Sequence, residues 1–173
     1  LQPSVILVDE HDRQTGIMDK MEVHEKGLLH RAFSIFIFNS KGEMLLQQRA
    51  AGKYHSPLLW TNTCCSHPLP GEEVQDAATR RLEEEMGFQT PLRKAFSFIY
   101  QTSFDNGLTE HEFDHVFVGT YDGLVSPDAA EVAHYNYVKP DLIEANIAAH
   151  PQHYTEWFKI AFPKLSTYLT TSE

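Results

Sequence analysis

Basic residues are scarce in this 173-residue chain: 14 Lys and Arg stand against 24 Asp and Glu, a formal net charge of −10. A duplex-binding surface needs a surplus of positive charge, so nucleic acid is not an expected partner. A small polyanion stays admissible if a few basic side chains cluster or metal ions help. Long apolar runs are missing too, none approaching the roughly 18 residues of a membrane span. The opening LQPSVILVDEHD has acidic flanks in place of a basic leader, so neither membrane nor secretion is expected. There is no solenoid repeat, low-complexity tract or Pro/Gly-rich linker. No G-x-G-x-x-G fingerprint implies a flavin. Cysteine is reduced to one adjacent pair, Cys64 and Cys65. Neighbouring Cα atoms lie about 3.8 Å apart, below the usual disulfide span of about 4.4–6.8 Å. An ordinary bridge is therefore not expected, and a cytoplasmic, reducing location is.

What is present is a globular composition, with 42% hydrophobic and 22% charged residues, read as a single domain over 1–173. Ala32–Phe38 is a near-continuous apolar run of strand length, suited to a strand buried on both faces. A turn at Asn39–Gly42 leads to a partner strand over Glu43–Arg49. Phe96–Gln101 and Glu112–Tyr121 read as two more strands around Asp105-Asn106-Gly107. The strongest helix runs from Glu72 to Gly87, closed by its glycine. Asp141–His150 and Tyr154–Leu169 read as helices, with Pro163 placed to break the second. Strands mixed with a few helices give an α+β fold, a sheet with helices on its faces.

The helix carries charges in the wrong place. Val74, Ala77, Ala78, Leu82 and Met86 form one apolar stripe, and Arg81 and Glu85 fall inside it. A carboxylate aimed at a core needs a partner to stay ionised. Glu85 is either paired with Arg81 at i, i+4 or turned toward a pocket that holds a metal, and spacing favours neither.

Ten histidines also hint at metal. His24 and His30 precede the first buried strand, His67 lies in the loop before the helix, and Glu110 and Glu112 share one face of an extended segment. Together they would form an octahedral N3O2 site with room for one more ligand, suited to Mn²⁺, Fe²⁺ or Zn²⁺ more than to Mg²⁺. Singly, such residues are ordinary surface or capping groups, and only a fold that gathers the three segments makes a site. Cys65, beside His67 and ahead of a helix start, is expected to have a depressed pKa and to move protons or act as a nucleophile. The bland alternative makes both cysteines small buried hydrophobes.

The stretch from Ser66 to Phe88 resembles the Nudix box, G-x5-E-x7-R-E-U-x-E-E-x-G-U, where U is bulky and apolar. Glu72, Arg80, Leu82, Glu84, Glu85, Gly87 and Phe88 match, whereas Ser66 replaces the first Gly and Arg81 a carboxylate. The strings LHRAFS (29–34), WTNTCCSHPL (60–69) and Glu110-His111-Glu112 resemble more closely the type I isopentenyl-diphosphate isomerases, a non-hydrolysing Nudix branch, over about Lys20 to Trp157. The resemblance implies a Nudix-type α/β/α sandwich with a mixed central sheet. It assigns metal ligands to His24, His30, His67, Glu110 and Glu112, catalysis to Cys65, Glu112, Tyr100 and Trp157, and diphosphate contacts to Lys20, Arg49, Lys53 and Arg81. It further implies a Mn- or Zn-like ion at the His3Glu2 set, a Mg²⁺ at Glu85 with the substrate diphosphate, no flavin, and a monomer acting on a small diphosphate.

The implied reaction protonates an unactivated alkene and removes a proton from another carbon, which takes an acid and a base on opposite faces of the substrate. Cys65 and Glu112 fit, with Tyr100 beside Glu112 and the π face of Trp157 toward a carbocation. Water must be excluded, so residues 1–30 are expected to act as a lid, with Lys20 closing on the diphosphate. Two other readings stand against this one: a Nudix hydrolase of other diphosphates, which Arg81 disfavours, and a non-enzymatic module with a structural metal, which an N3O2 donor set fits poorly.

Overall fold

In a computed structural model, which describes residues 3–171, the apolar run becomes β3, His30–Phe38, at the centre of a mixed sheet. Before it come β1 (Ser4–Val8), β2 (Gln14–Asp19) and the short helix α1 (Lys20–Lys26). After it come β4 (Met44–Arg49), β5 (Trp60–Thr61), β6 (Cys64–Ser66) and α2 (Val74–Met86). Then follow β7 (Arg93–Ser103), β8 (Thr109–Thr120), β9 (Val132–Val138), α3 (Pro140–Ala149) and α4 (Glu156–Thr171). β3 runs parallel to β8 and antiparallel to β6, with single bridges to β1 and β4. β7 pairs with β8, β2 with β1, and β5 and β9 with β4.

β3 is buried on both faces, as its sequence requires. Phe33, Ile35 and Ile37 pack with Leu45 against Ala77, Ala78, Leu82 and Met86 of α2. Phe36 packs with Met44, Leu46, Val116 and Val118 against Ile143 of α3 and Phe158, Ala161, Phe162 and Leu165 of α4. Helices on both faces of one mixed sheet make the expected α/β/α sandwich.

Several boundaries differ from the sequence reading. β7 and β8 each extend beyond the apolar runs that announced them, because their hairpin pairing continues from Arg93↔Val118 to Ser103↔Thr109. Pro163 lies inside α4 without ending it. Its ring faces solvent, while the buried Trp157, Phe158, Ala161, Phe162 and Leu165 offset the roughly 3 kcal/mol cost of an interior proline. The expected lid segment, whose residues 1 and 2 lie outside the described residues, contains the β1–β2 hairpin and α1. Asp19 caps α1 by accepting from the Glu22 N–H at 3.2 Å, and Gly27 ends it at φ 66°. Among the described residues no helix is long and apolar enough to cross a membrane.

Candidate active site

Strand register builds the site. His30 lies beside Glu112 across the parallel β3–β8 pair, and Tyr100 lies beside Glu112 across β7–β8. Tyr100 Oη donates to Glu112 Oε1, and Glu112 Oε2 is 2.9 Å from His67 Nε2 and 3.4 Å from His30 Nε2. α1 brings His24 into the same cluster, its ring centroid 5.3 Å from that of His30 and 6.0 Å from that of His67. The fold therefore gathers the five residues that spacing alone could not.

The cluster has the chemistry of a cation site. His24 Nδ1 donates to Lys20 O at 2.7 Å and His30 Nδ1 to Leu28 O at 3.0 Å. Because a carbonyl only accepts, each ring turns a lone pair inward at Nε2. Those two Nε2 atoms and Glu110 Oε2 are buried with no hydrogen-bond partner. Three overlapping triads could hold a metal ion: His24, His30 and His67; His67, Glu110 and Glu112; and His24, His55 and Glu110. Burial lowers the pKa of His24 and drives that of His67 to about 3 against the pull of Glu112, leaving both imidazoles neutral. Burial and the charge of Glu112 hold Glu110 well above the usual carboxyl range. Burial opposes ionisation of Glu112 too, but the hydrogen bond from His67 to its Oε2 helps bring its pKa well below the ordinary value. The two carboxyl groups of this pair are thus driven in opposite directions.

Cys65 sits on β6 opposite Ser34 of β3. Its Sγ donates to Asn62 Oδ1 at 3.1 Å and lies 3.4 Å from Ser34 Oγ, which donates to Asp114 Oδ2 at 2.7 Å. The expected depressed thiol pKa is not found. Burial, then the nearby Asp114 charge, push it up. Cys64 is fully buried in the core beneath α2, so the bland reading holds for it alone.

Glu85 is paired with Arg81 and faces a cavity as well. Its Oε2 accepts from Arg81 Nη2 at 2.6 Å and its Oε1 from Gln47 Nε2 at 3.0 Å, and it also lines the cavity that contains Cys65. Lys20, Arg49, Lys53 and Arg81 line that cavity too, the local basic cluster that the acidic chain needed. Lys20 Nζ lies 4.8 Å above the Tyr54 ring and the Arg49 guanidinium 5.1 Å above that of Trp157. Lys53 pairs with Glu131 at 2.7 Å. Tyr100, Glu110, Glu112 and Trp157 complete the wall, with His24 and His30 fully buried behind it.

Sequence reasoning missed Gln47, Tyr54, His55 and Glu131 in this wall, and the Ser34–Asp114 pair behind Cys65. Tyr54 and His55 stand in a loop without periodicity, and their adjacency to Lys53 was the sole available signal.

Residues 28–158 match the family model of the NUDIX domain. An isopentenyl-diphosphate Delta-isomerase of Burkholderia multivorans is 53% identical over 159 residues, 91% of this chain and 90% of that one. Isopentenyl-diphosphate Delta-isomerase 2 of Aromatoleum aromaticum is 52% identical over 159 residues, 91% of this chain and 83% of that one. Among solved structures, a Deinococcus radiodurans protein superposes with a TM-score of 0.71 at 20% identity, covering 84% of this chain and 89% of its own. A MutT NUDIX hydrolase of Burkholderia pseudomallei gives 0.60 at 20% identity, covering 78% and 96%; both likenesses speak for the fold alone. With relatives this similar over this much of its length, the chain belongs to the NUDIX domain family and, within it, to the isopentenyl-diphosphate Delta-isomerases.

Proposed function

We infer that this enzyme interconverts isopentenyl and dimethylallyl diphosphate, a step of isoprenoid synthesis, by adding a proton at the terminal alkene carbon and removing one from C2. The observation that carries this reading is the shared cavity of Cys65 and the Tyr100–Glu112 pair, on separate strands, with Trp157 and four basic side chains around them. Two proton-transfer groups on separate strands suit an addition and a removal on opposite faces of a flat alkene. Trp157 offers its π face to the tertiary cation formed between the two transfers, worth up to about 2 kcal/mol in a dry site. Lys20, Arg49, Lys53 and Arg81 hold the diphosphate, with Lys53 leaving Glu131 to do so.

His24, His30, His67, Glu110 and Glu112 would hold a Mn- or Zn-like divalent ion, whose charge would allow both buried carboxylates to ionise and fix the orientation of Glu112. Glu85 would hold a Mg²⁺ at the substrate diphosphate. The chain acts as one domain, with residues 1–30 closing over the bound substrate. The hydrolase alternative fares worse, because Arg81 fills a box position for a carboxylate.

The deciding experiment is proton NMR of isopentenyl diphosphate in D₂O with metal-loaded protein. Deuterated dimethylallyl diphosphate is expected from wild type, and Cys65→Ala is expected to lose at least about 10²-fold in rate. Unchanged substrate with metal bound, or release of phosphate, overturns the reading.

A further inference from the structure

The five metal-site residues named from the sequence leave one octahedral position open, and a sixth protein donor stands next to it. His55 is 4% exposed, and its Nε2 is buried without a hydrogen-bond partner. That atom lies 3.5 Å from Glu110 Oε2, which is equally unpartnered. An N–H aimed at the carboxylate would have satisfied both. Two unsatisfied donors side by side are instead the arrangement of neighbouring ligands facing a common cation. His55, His24 and Glu110 present ligand atoms all within 4.8 Å of one another, as do the two triads drawn from the other five residues. His55 thus joins the set through two of its own members. On the far side of the ring, Nδ1 is 3.3 Å from Ser56 Oγ. A proton held there leaves the lone pair at Nε2, the same division seen in His24 and His30.

The chain invests in this placement. Ser56 and Leu58, the two non-glycine residues that flank Pro57, adopt φ of 52° and 62°, a strained conformation of the kind that persists where the surroundings enforce it. Arg49 Nη2 donates to the His55 carbonyl at 3.1 Å and Asn106 Nδ2 to the Tyr54 carbonyl at 3.0 Å, pinning the loop inward. The ring itself is stacked on Phe104, with centroids 4.5 Å apart at 8°, and meets the Trp157 ring edge-on at 5.6 Å.

We propose that His55 Nε2 is a sixth protein ligand of the divalent centre, which is thereby closed as an N4O2 site. The proposal rests on the reading of that centre as a metal site. A closed shell leaves no position for water or substrate, so the ion acts as a fixed charge that orients Glu112. A fourth imidazole also shifts preference further from Mg²⁺ toward Mn²⁺, Fe²⁺, Co²⁺ or Zn²⁺.

Co²⁺ is the probe. Hyperfine-shifted imidazole signals in the proton NMR spectrum of Co²⁺-loaded wild type count the coordinated histidines without any variant. Four sets are expected, one of them lost in His55→Phe, a replacement that keeps the stack on Phe104. Titration is expected to show Co²⁺ bound at least about tenfold more weakly by that variant, with thermal melting of the metal-free proteins as the control for folding. Three sets in wild type, with Co²⁺ bound tightly, overturn the proposal and leave the metal centre standing. No Co²⁺ binding by wild type overturns the metal centre and this proposal with it.

Discussion

The carboxylate of Glu112 faces a phenol on one oxygen and two imidazoles on the other. One oxygen thus faces the imidazoles and the other Tyr100, which lines the cavity itself. Burial, then the charges of Glu110 and Glu112, hold the Tyr100 phenol well above its ordinary pKa, so it stays protonated, and in the proposed reaction it would relay a proton only as Glu112 shares it. Replacing Tyr100 with Phe keeps the ring and removes the relay. The expected result is a fall in kcat of about 10²-fold, in the range of a lost acid–base group, with KM nearly unchanged because the diphosphate contacts are intact. A change confined to KM would assign Tyr100 to substrate binding instead. His55 marks how little of such detail a sequence discloses. A lone histidine in an aperiodic loop carries no pattern, and its proximity to His24 and Glu110 exists only after β4, α1 and β8 have been assembled.

At the level of elements, α2 joins the box sequence to the site. Glu72 accepts from Arg80 Nε at 2.8 Å and Nη2 at 2.9 Å, and Arg80 Nη1 reaches Glu84 at 2.9 Å. These matched box residues therefore brace the loop–helix junction, while Glu85 alone turns into the cavity. Gly87 ends the helix at φ 77°, and a Cβ there would lie 2.3 Å from the Ser126 carbonyl oxygen. Gly87→Ala combines left-handed strain of about 1–3 kcal/mol with that clash. A lower urea midpoint with an unchanged slope is expected, and an unchanged midpoint would show that the 126 segment yields freely. The central strands, α2, α3 and α4 were legible because apolar periodicity or a continuous apolar run announces elements of their length. β5 and β6 span two and three residues and carry no period at all. α1 buries just Val23 and His24, and β9 exposes most of its side chains. Yet β6 carries Cys65 and α1 carries Lys20 and His24, so these three site residues rest on elements held in place by pairing and packing that no local pattern records.

For the molecule as a whole, acid stability separates the site from the scaffold. Away from the cavity, His115 packs against Asp12 at 2.9 Å and Lys94 at 2.6 Å, with Arg31 bound to the same Asp12 at 2.8 Å. Burial first, and then the Lys94 charge, push His115 down to about 4, whereas an unfolded histidine titrates near 6.5. Between those values the unfolded chain binds a proton that the folded chain refuses. The stabilisation is therefore complete above about pH 6.5 and is lost as pH falls toward 4, at up to about 1.4 kcal/mol per pH unit. His24, His55 and His67 pull the same way, while Glu110 and Asp114, whose pKa values burial raises, pull the other way. Absolute stability thus mixes opposing groups, and the difference between wild type and His115→Asn isolates one of them. Urea midpoints of the metal-free proteins at pH 7, 6, 5 and 4 are expected to converge as pH falls, because the variant has no such proton to refuse. Parallel midpoints across that range would mean that His115 takes up its proton inside the fold, with Asp12 outweighing Lys94 and burial together.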